Sequence, residues 1–279
     1  MTLILPAYAK LNLTLDVTSR RSNGYHDIDS VMQTISLHDL LWIERTDCRV
    51  FDLVGPAIEG ENLVLKTARE LEGHVGRQLP FTIRLFKRIP MGAGLGGGSA
   101  DAAAFLKAAN LLYDLKLTPG ELVEIATAVG QDVPFLLAGG TARATGLGST
   151  IAALPAVPSS WRFLVVCPPI EISTRAVYDA VDGTAPSGGR TPALIAALTT
   201  GGEMGRSGND LEPASRRLFL QFDEAFDRLH QVVPGLTMSG TGAALFAQFS
   251  GRTDAEAALA EVRKLSYPAW VCRPVSVAA

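Results

Sequence analysis

One segment constrains this chain more than any other. Pro90-Met91-Gly92-Ala93-Gly94-Leu95-Gly96-Gly97-Gly98-Ser99-Ala100-Asp101 places five glycines in seven positions and runs straight into Ala102, Phe105, Leu106, Ala109, Leu112 and Tyr113, which recur at helical spacing. Ahead of it, Phe81 to Lys87 alternates, with Phe81, Ile83 and Leu85 inward, so the local order is strand, loop, helix. Residues without Cβ let consecutive backbone N–H groups come close to a ligand, and the following helix adds unpaired N–H groups and the positive end of its dipole. Such a loop suits phosphate. The plainer alternative is a flexible turn, which leaves the helix abutting the glycines without a reason.

Gly92, Gly94 and Gly97 formally satisfy the dinucleotide G-x-G-x-x-G pattern, and Asp114 follows at about the right distance. A dinucleotide fold, however, needs a first strand that is apolar on both faces and an acidic residue closing a second strand. Phe81 to Lys87 alternates, and Asp114 falls at the end of a helix. The Walker pattern G-x-x-x-x-G-K-[ST] is absent, as are the H-R-D and D-F-G elements of protein kinases. The loop belongs to another phosphate-binding class.

Elsewhere the pattern is mixed. Ala9, Leu11, Leu13, Leu15 and Val17 alternate with Lys10, Asn12, Thr14 and Asp16, which predicts a half-buried strand with Lys10 and Asn12 on one face. Arg20 to Gly24 reads as a turn, followed by Tyr25 and His26. Thr118, Pro119 and Glu121 form a capping-box signature for a helix buried along Leu122, Ile125, Ala126 and Val129 and ending at Gly130. Glycine-rich residues 139–149 lead to Leu154-Pro155-Ala156-Val157-Pro158, the expected domain boundary, giving domains 1–155 and 156–279. Beyond it come a strand at Phe163 to Cys167 and a weakly patterned region, 182–208, expected to include loop. A helical stripe follows through Leu218, Phe222, Ala225, Leu229 and Val232, then a small-residue turn at Ser239 to Gly242. A last helix through Lys264 is expected to be capped by Thr253 with Glu256. Strands and helices without strict alternation indicate an α+β fold.

Composition excludes several classes. With 279 residues and 47% hydrophobic content the chain buries one large or two modest cores without metal or disulfide support. A net charge of −3 argues against a general nucleic-acid binder. Three scattered cysteines suggest neither a disulfide framework nor a zinc site, and none of the four histidines has a partner at metal spacing, so no protein-held metal is expected. No apolar run approaches a membrane span and no basic leader opens the chain, so a soluble cytoplasmic protein with no membrane partner is expected.

With Pro90 to Ala100 as its P-x-G-x-G-L-G-type loop, the chain resembles the GHMP kinases. Ala9-Lys10-Leu11-Asn12-Leu13, Asn23-Gly24-Tyr25-His26 and Asp132-Val133-Pro134-Phe135 narrow the resemblance to the 4-diphosphocytidyl-2-C-methyl-D-erythritol kinases. Asn209-Asp210-Leu211-Glu212 and Met238-Ser239-Gly240-Thr241-Gly242 also fall in that family's order. Two departures are Gln131, in place of a small residue before the aspartate, and Gly146 to Ser149, which lacks an acidic residue after its glycine pair.

The resemblance implies a two-domain α+β fold with the active site in the cleft between domains. It also implies transfer of the ATP γ-phosphoryl group to the 2-hydroxyl of 4-diphosphocytidyl-2-C-methyl-D-erythritol, a step of non-mevalonate isoprenoid biosynthesis, with Mg2+ bridging the phosphates. Pro90, Met91, Gly92, Ala93, Gly94, Leu95, Gly96, Gly97, Gly98, Ser99 and Ala100 would cradle the triphosphate. Asp132 would be the general base and Lys10 would orient and polarise it. Tyr25 and Tyr178 would stack on the cytosine, His26 would hydrogen-bond it, and Asn12 would contact the methylerythritol part. The partners implied are these small molecules and no nucleic acid. Two alternatives stay open at this point: a kinase of another small alcohol such as homoserine or mevalonate, and a non-catalytic nucleotide-binding module. Retention of both Lys10 and Asp132 weighs against the second.

Overall fold

The computed structural model describes residues 1–58, 60–181, 189–201 and 207–276. By internal contacts the chain forms two compact units, each assembled from separate stretches of sequence. The first is Met1–Ala9, Leu37–Pro90 and Gly96–Ala138; the second is Lys10–Ser36, Met91–Leu95 and Gly139–Ala279.

In the first unit lie the start of β1 (Thr2–Arg20), the end of β2 (His26–Arg45), β3 (Val50–Val54), α1 (Leu63–Val75), β4 (Phe81–Phe86), α2 (Gly97–Leu112), α3 (Pro119–Val129) and α4 (Val133–Ala138). β4 pairs antiparallel with β2, from Leu40 opposite Phe86 to Arg45 opposite Phe81, and parallel with β3. Phe81, Ile83 and Leu85 are fully buried as the alternation requires, and Phe81 meets Phe105 of α2 edge-on at 5.0 Å. α2 is buried nearly all round rather than along one stripe, since Ala100, Asp101, Ala103, Ala104 and Ala108 join the predicted positions. Its small alanines let α1 and α4 pack closely on other sides. α3 begins as predicted, with Thr118 and Glu121 exchanging both capping-box hydrogen bonds, and ends at Gly130.

In the second unit, the remainder of β1 pairs parallel with β8 (Gly208–Asn209), and the start of β2 pairs antiparallel with β5 (Thr141–Gly146), which pairs with β6 (Thr150–Ala153). A separate sheet runs β11-β7-β10-β9, built from β7 (Arg162–Val166), β9 (Thr237–Met238), β10 (Leu245–Phe249) and β11 (Ala269–Cys272). α5 (Thr174–Val181), α6 (Arg190–Thr200), α7 (Glu212–Leu218), α8 (Leu220–Val232) and α9 (Arg252–Lys264) complete it. Leu15, Val17 and Ile28 share one core with Leu164, Phe222, Leu229, Leu245 and Val262.

Region 182–208, expected to include loop, also holds the helix Arg190–Thr200, whose start is held by the Asp16 carboxylate accepting the Thr191 N–H at 2.9 Å; residues 182–188 and 202–206 lie outside the described residues. Three expectations need correction. β1 is buried on both faces, because Lys10, Asn12, Thr14 and Asp16 are as hidden as the leucines between them. The stripe ending at Val232 is split at Phe219 into α7 and α8, leaving Leu218 exposed. Finally, α9 is capped by Gly251 without a side-chain hydrogen bond. Glu256 pairs with Arg252 at 2.7 Å instead of closing a box with Thr253.

Candidate active site

The glycine-rich loop turns through three left-handed residues, Gly92, Gly94 and Gly96 (φ 66°, 75° and 70°), and Gly96 caps α2. Two of these positions have separate reasons to lack a side chain. Gly96 supplies the left-handed cap that starts the helix. At Gly94 a Cβ would run into the Ser239 carbonyl.

Three successive loop carbonyls are turned toward protein donors. Ala93 accepts from the Ala244 N–H at 3.0 Å, Gly94 from the Ser239 hydroxyl at 3.2 Å, and Leu95 from the Lys10 N–H at 3.0 Å. Met91 and Gly92 form a turn that closes Ala93 onto Pro90, while among the described residues no acceptor is found for the N–H groups of Gly92 and of Gly94 to Ser99, or for the Ser99 hydroxyl. Carbonyls tied back and amides left open are an arrangement that suits an anion.

Lys10, on β1, is 3% exposed, and its ammonium donates to Asn12 Oδ1 at 2.6 Å. Asn12 is held in turn: its Nδ2 donates to the Ser30 hydroxyl at 2.9 Å, and its N–H donates to Ser239 Oγ at 3.2 Å. The polar face of β1 is thus buried because its groups bond one another and the turn at Ser239. That turn is itself braced. Asn209 Nδ2 donates to the carbonyls of Met238 (2.9 Å) and Gly240 (2.7 Å), and the Glu212 carboxylate accepts the Met238 N–H at 2.9 Å. Burial pushes the Glu212 carboxyl above its ordinary range.

Also in the second unit, the His26 ring stacks on Tyr178 of α5, with centroids 5.5 Å apart, while Tyr25 stands 63% exposed beside it. So Lys10, Asn12 and Met91 to Leu95 come together in one place, and His26 with Tyr178 in another. Asp132 lies in the first unit, half-buried, where its carbonyl accepts the Leu136 N–H at 3.1 Å and so opens α4.

The GHMP kinases N terminal domain family matches residues 62–140, and the GHMP kinases C terminal family matches 193–267. A 4-diphosphocytidyl-2-C-methyl-D-erythritol kinase of Moorella thermoacetica is 41% identical over 261 residues, covering 88% of this chain and 89% of that relative. The chain belongs to the 4-diphosphocytidyl-2-C-methyl-D-erythritol kinase family of GHMP kinases. A crystal structure of a 4-(cytidine 5'-diphospho)-2C-methyl-D-erythritol kinase superposes with a TM-score of 0.82 at 33% identity, covering 99% of this chain and all of that one. Homoserine kinase from Cytophaga hutchinsonii superposes at 0.71 with 18% identity and 98% and 95% coverage, a likeness of fold alone.

For this GHMP kinase, the sequence pointed to segments 209–212 and 238–242 without saying what they do. Their residues brace the glycine-rich loop through hydrogen bonds between positions far apart in the chain. That reading also passed over Asp39 and Lys87, which have no motif of their own and form a buried ion pair. An aspartate inside an otherwise apolar alternation, at Leu37-His38-Asp39-Leu40-Leu41, is the one signal that could have marked the first.

Proposed function

We propose that the chain transfers the γ-phosphoryl group of ATP to the 2-hydroxyl of 4-diphosphocytidyl-2-C-methyl-D-erythritol, releasing ADP and the 2-phosphate, in the non-mevalonate route to isoprenoids. The observation that carries this reading is the loop whose carbonyls at Ala93, Gly94 and Leu95 are engaged while the amides from Gly94 to Ser99 are open among the described residues. Open amides and a helix start suit a polyphosphate and would stabilise the charge that moves from the γ- to the β-phosphate during transfer.

In this reading Asp132 takes the proton of the acceptor hydroxyl as its oxygen bonds to phosphorus. Lys10, fixed by Asn12, supplies positive charge to the reacting groups. Asn12 borders the methylerythritol part, and Tyr25, His26 and Tyr178 receive the cytosine. Magnesium enters on the nucleotide, neutralising its phosphates, with the half-buried Ser99 hydroxyl as the protein group nearest in kind. Small molecules are its partners, and the cytoplasm is its proposed place. Among the described residues no helix is long and apolar enough to cross a membrane.

A coupled ADP-release assay over 4-diphosphocytidyl-2-C-methyl-D-erythritol, homoserine and mevalonate tests the assignment. Turnover should be confined to the cytidylyl alcohol. Comparable kcat/KM on either of the others, or no ADP release from any of the three, would remove it.

A further inference from the structure

We propose that Asp39, Lys87 and Asp101 form a buried ionic clamp joining the chain that enters the glycine-rich loop to the helix that leaves it. Asp39 and Lys87 are then positioning residues for nucleotide binding. The inference rests on the reading of Pro90 to Ser99 as the phosphate loop.

The β2–β4 ladder reaches Phe86 opposite Leu40 and goes no further. The chain from Lys87 to Ile89 then leaves the sheet: the Lys87 N–H still reaches the Val54 carbonyl at 2.9 Å, while those of Arg88, which is exposed, and of buried Ile89 need other acceptors. Asp39, the next residue on β2, provides them: its Oδ1 accepts the N–H groups of Arg88 and of Ile89, the latter at 2.8 Å. Its Oδ2 pairs with the Lys87 ammonium, which also donates to Asp101 Oδ2 at 2.6 Å. The three side chains are 0 to 3% exposed. Asp101 is on the second turn of α2, so one lysine joins the residues before the loop to the helix after it.

Gly97, the first residue of α2, makes this approach possible. A Cβ there would lie 3.1 Å from the Ile89 side chain and 3.4 Å from Lys87 Nζ. With residues 87–89 held against 97–101, both ends of the span crossed by residues 90–96 are fixed. A buried ion pair adds little net stability compared with apolar packing of the same volume, so stability alone does not explain this one; fixing register does.

The charges fit a rigid device. Burial, and then the neighbouring Asp39 charge, raise the Asp101 carboxyl to about 8 against the pull of Lys87. Burial works to lower Lys87, but the two carboxylates outweigh it and hold the ammonium charged. Near neutrality Asp101 is therefore the neutral acid of the cluster.

The test compares Asp39→Ala, Lys87→Met and Asp101→Asn with the parent in full-length protein. Three quantities are read: magnesium–ATP affinity by calorimetry, KM for the cytidylyl alcohol, and hydrogen exchange of the amides from 88 to 99. For Asp39→Ala and Lys87→Met, ATP binding should weaken roughly tenfold or more and loop exchange should accelerate, while KM for the alcohol stays within about twofold. Asp101→Asn, a neutral isostere of the protonated acid, should weaken ATP binding by no more than about threefold, less than either of the other two. Parental ATP affinity in folded Asp39→Ala or Lys87→Met overturns the clamp, as does a matching rise in both substrates' constants. If neither folds, Asp39→Asn decides, since it keeps the acceptor and loses the charge: severalfold weaker ATP binding supports the clamp and parental binding overturns it. A parent that binds no ATP would instead fail the reading of the loop, and exchange at 88–99 alone would then decide the clamp.

Discussion

Single residues in the loop differ in what a side chain would do to them. Gly94→Val should lose stability as well as ATP binding, because it combines a left-handed backbone with a collision against Ser239. Gly98 has helical backbone, and a Cβ there meets only Leu63, at 3.4 Å. Gly98→Ala should fold, gain about 0.5–1 kcal/mol from helix propensity, and bind ATP like the parent, since it leaves the amides in place. Paired melting curves and calorimetry separate the two; weak ATP binding by a stable Gly98→Ala would mean that phosphate comes closer than the amides require. At Asp132, replacement by asparagine keeps the shape and removes the proton acceptor. The expected loss in kcat is roughly 10²- to 10⁴-fold with ATP affinity little changed, and Lys10→Met combined with it should lose far less than the product of the single losses. Near-parental turnover in folded Asp132→Asn would leave Asp132 as the residue that opens α4 and nothing more.

Whole elements are set by their ends and by the charges buried between them. The box at α3 is complete, with Thr118 N–H donating to Glu121 Oε2 at 2.7 Å and Glu121 N–H donating to Thr118 Oγ1 at 3.3 Å. Thr118→Ala should cost about 1 kcal/mol in urea unfolding, and an unchanged midpoint would show that packing alone holds α3. At the junction of β4 and α2 the relevant quantity is pH. Asp101 keeps its proton up to about 8 in the folded chain, whereas an unfolded aspartate releases it near pH 4. Folding takes up a proton between those values, so this contribution is full at low pH and is lost as pH rises through about 8. Urea midpoints near pH 5 and pH 8 should therefore fall further for the parent than for Asp101→Asn. Parallel slopes would mean that the acid is ionised throughout.

For the molecule as a whole, cohesion comes from residues distant in sequence. The second unit's core draws Leu15 and Val17 from β1 together with Phe222 from α8 and Val262 from α9. Phe222 is fully buried there, so Phe222→Ala should cost roughly 3–5 kcal/mol, the usual range for emptying an aromatic site. A loss under about 1 kcal/mol in calorimetric melting would contradict the packing described.

What the sequence determined by itself was local: the order of strand, loop and helix around Pro90 to Asp101, the Thr118 cap, the alternation of Phe81 to Phe86, and motif segments enough to name a family. These follow from side-chain period, glycine's backbone freedom and hydrogen bonds between near neighbours, all of which are written within a few residues. The burial of Lys10 and Asn12 was not legible, because one face of an alternating strand reads as solvent-facing until partners such as Ser30 and Ser239 are brought to it. Nor was the turning of the Ala93, Gly94 and Leu95 carbonyls toward Ala244, Ser239 and Lys10, or the hold of Asp39 on Arg88 and Ile89. A buried polar group is stable only with a partner, and the partner's place in sequence is set by how the chain returns on itself, which no local pattern contains.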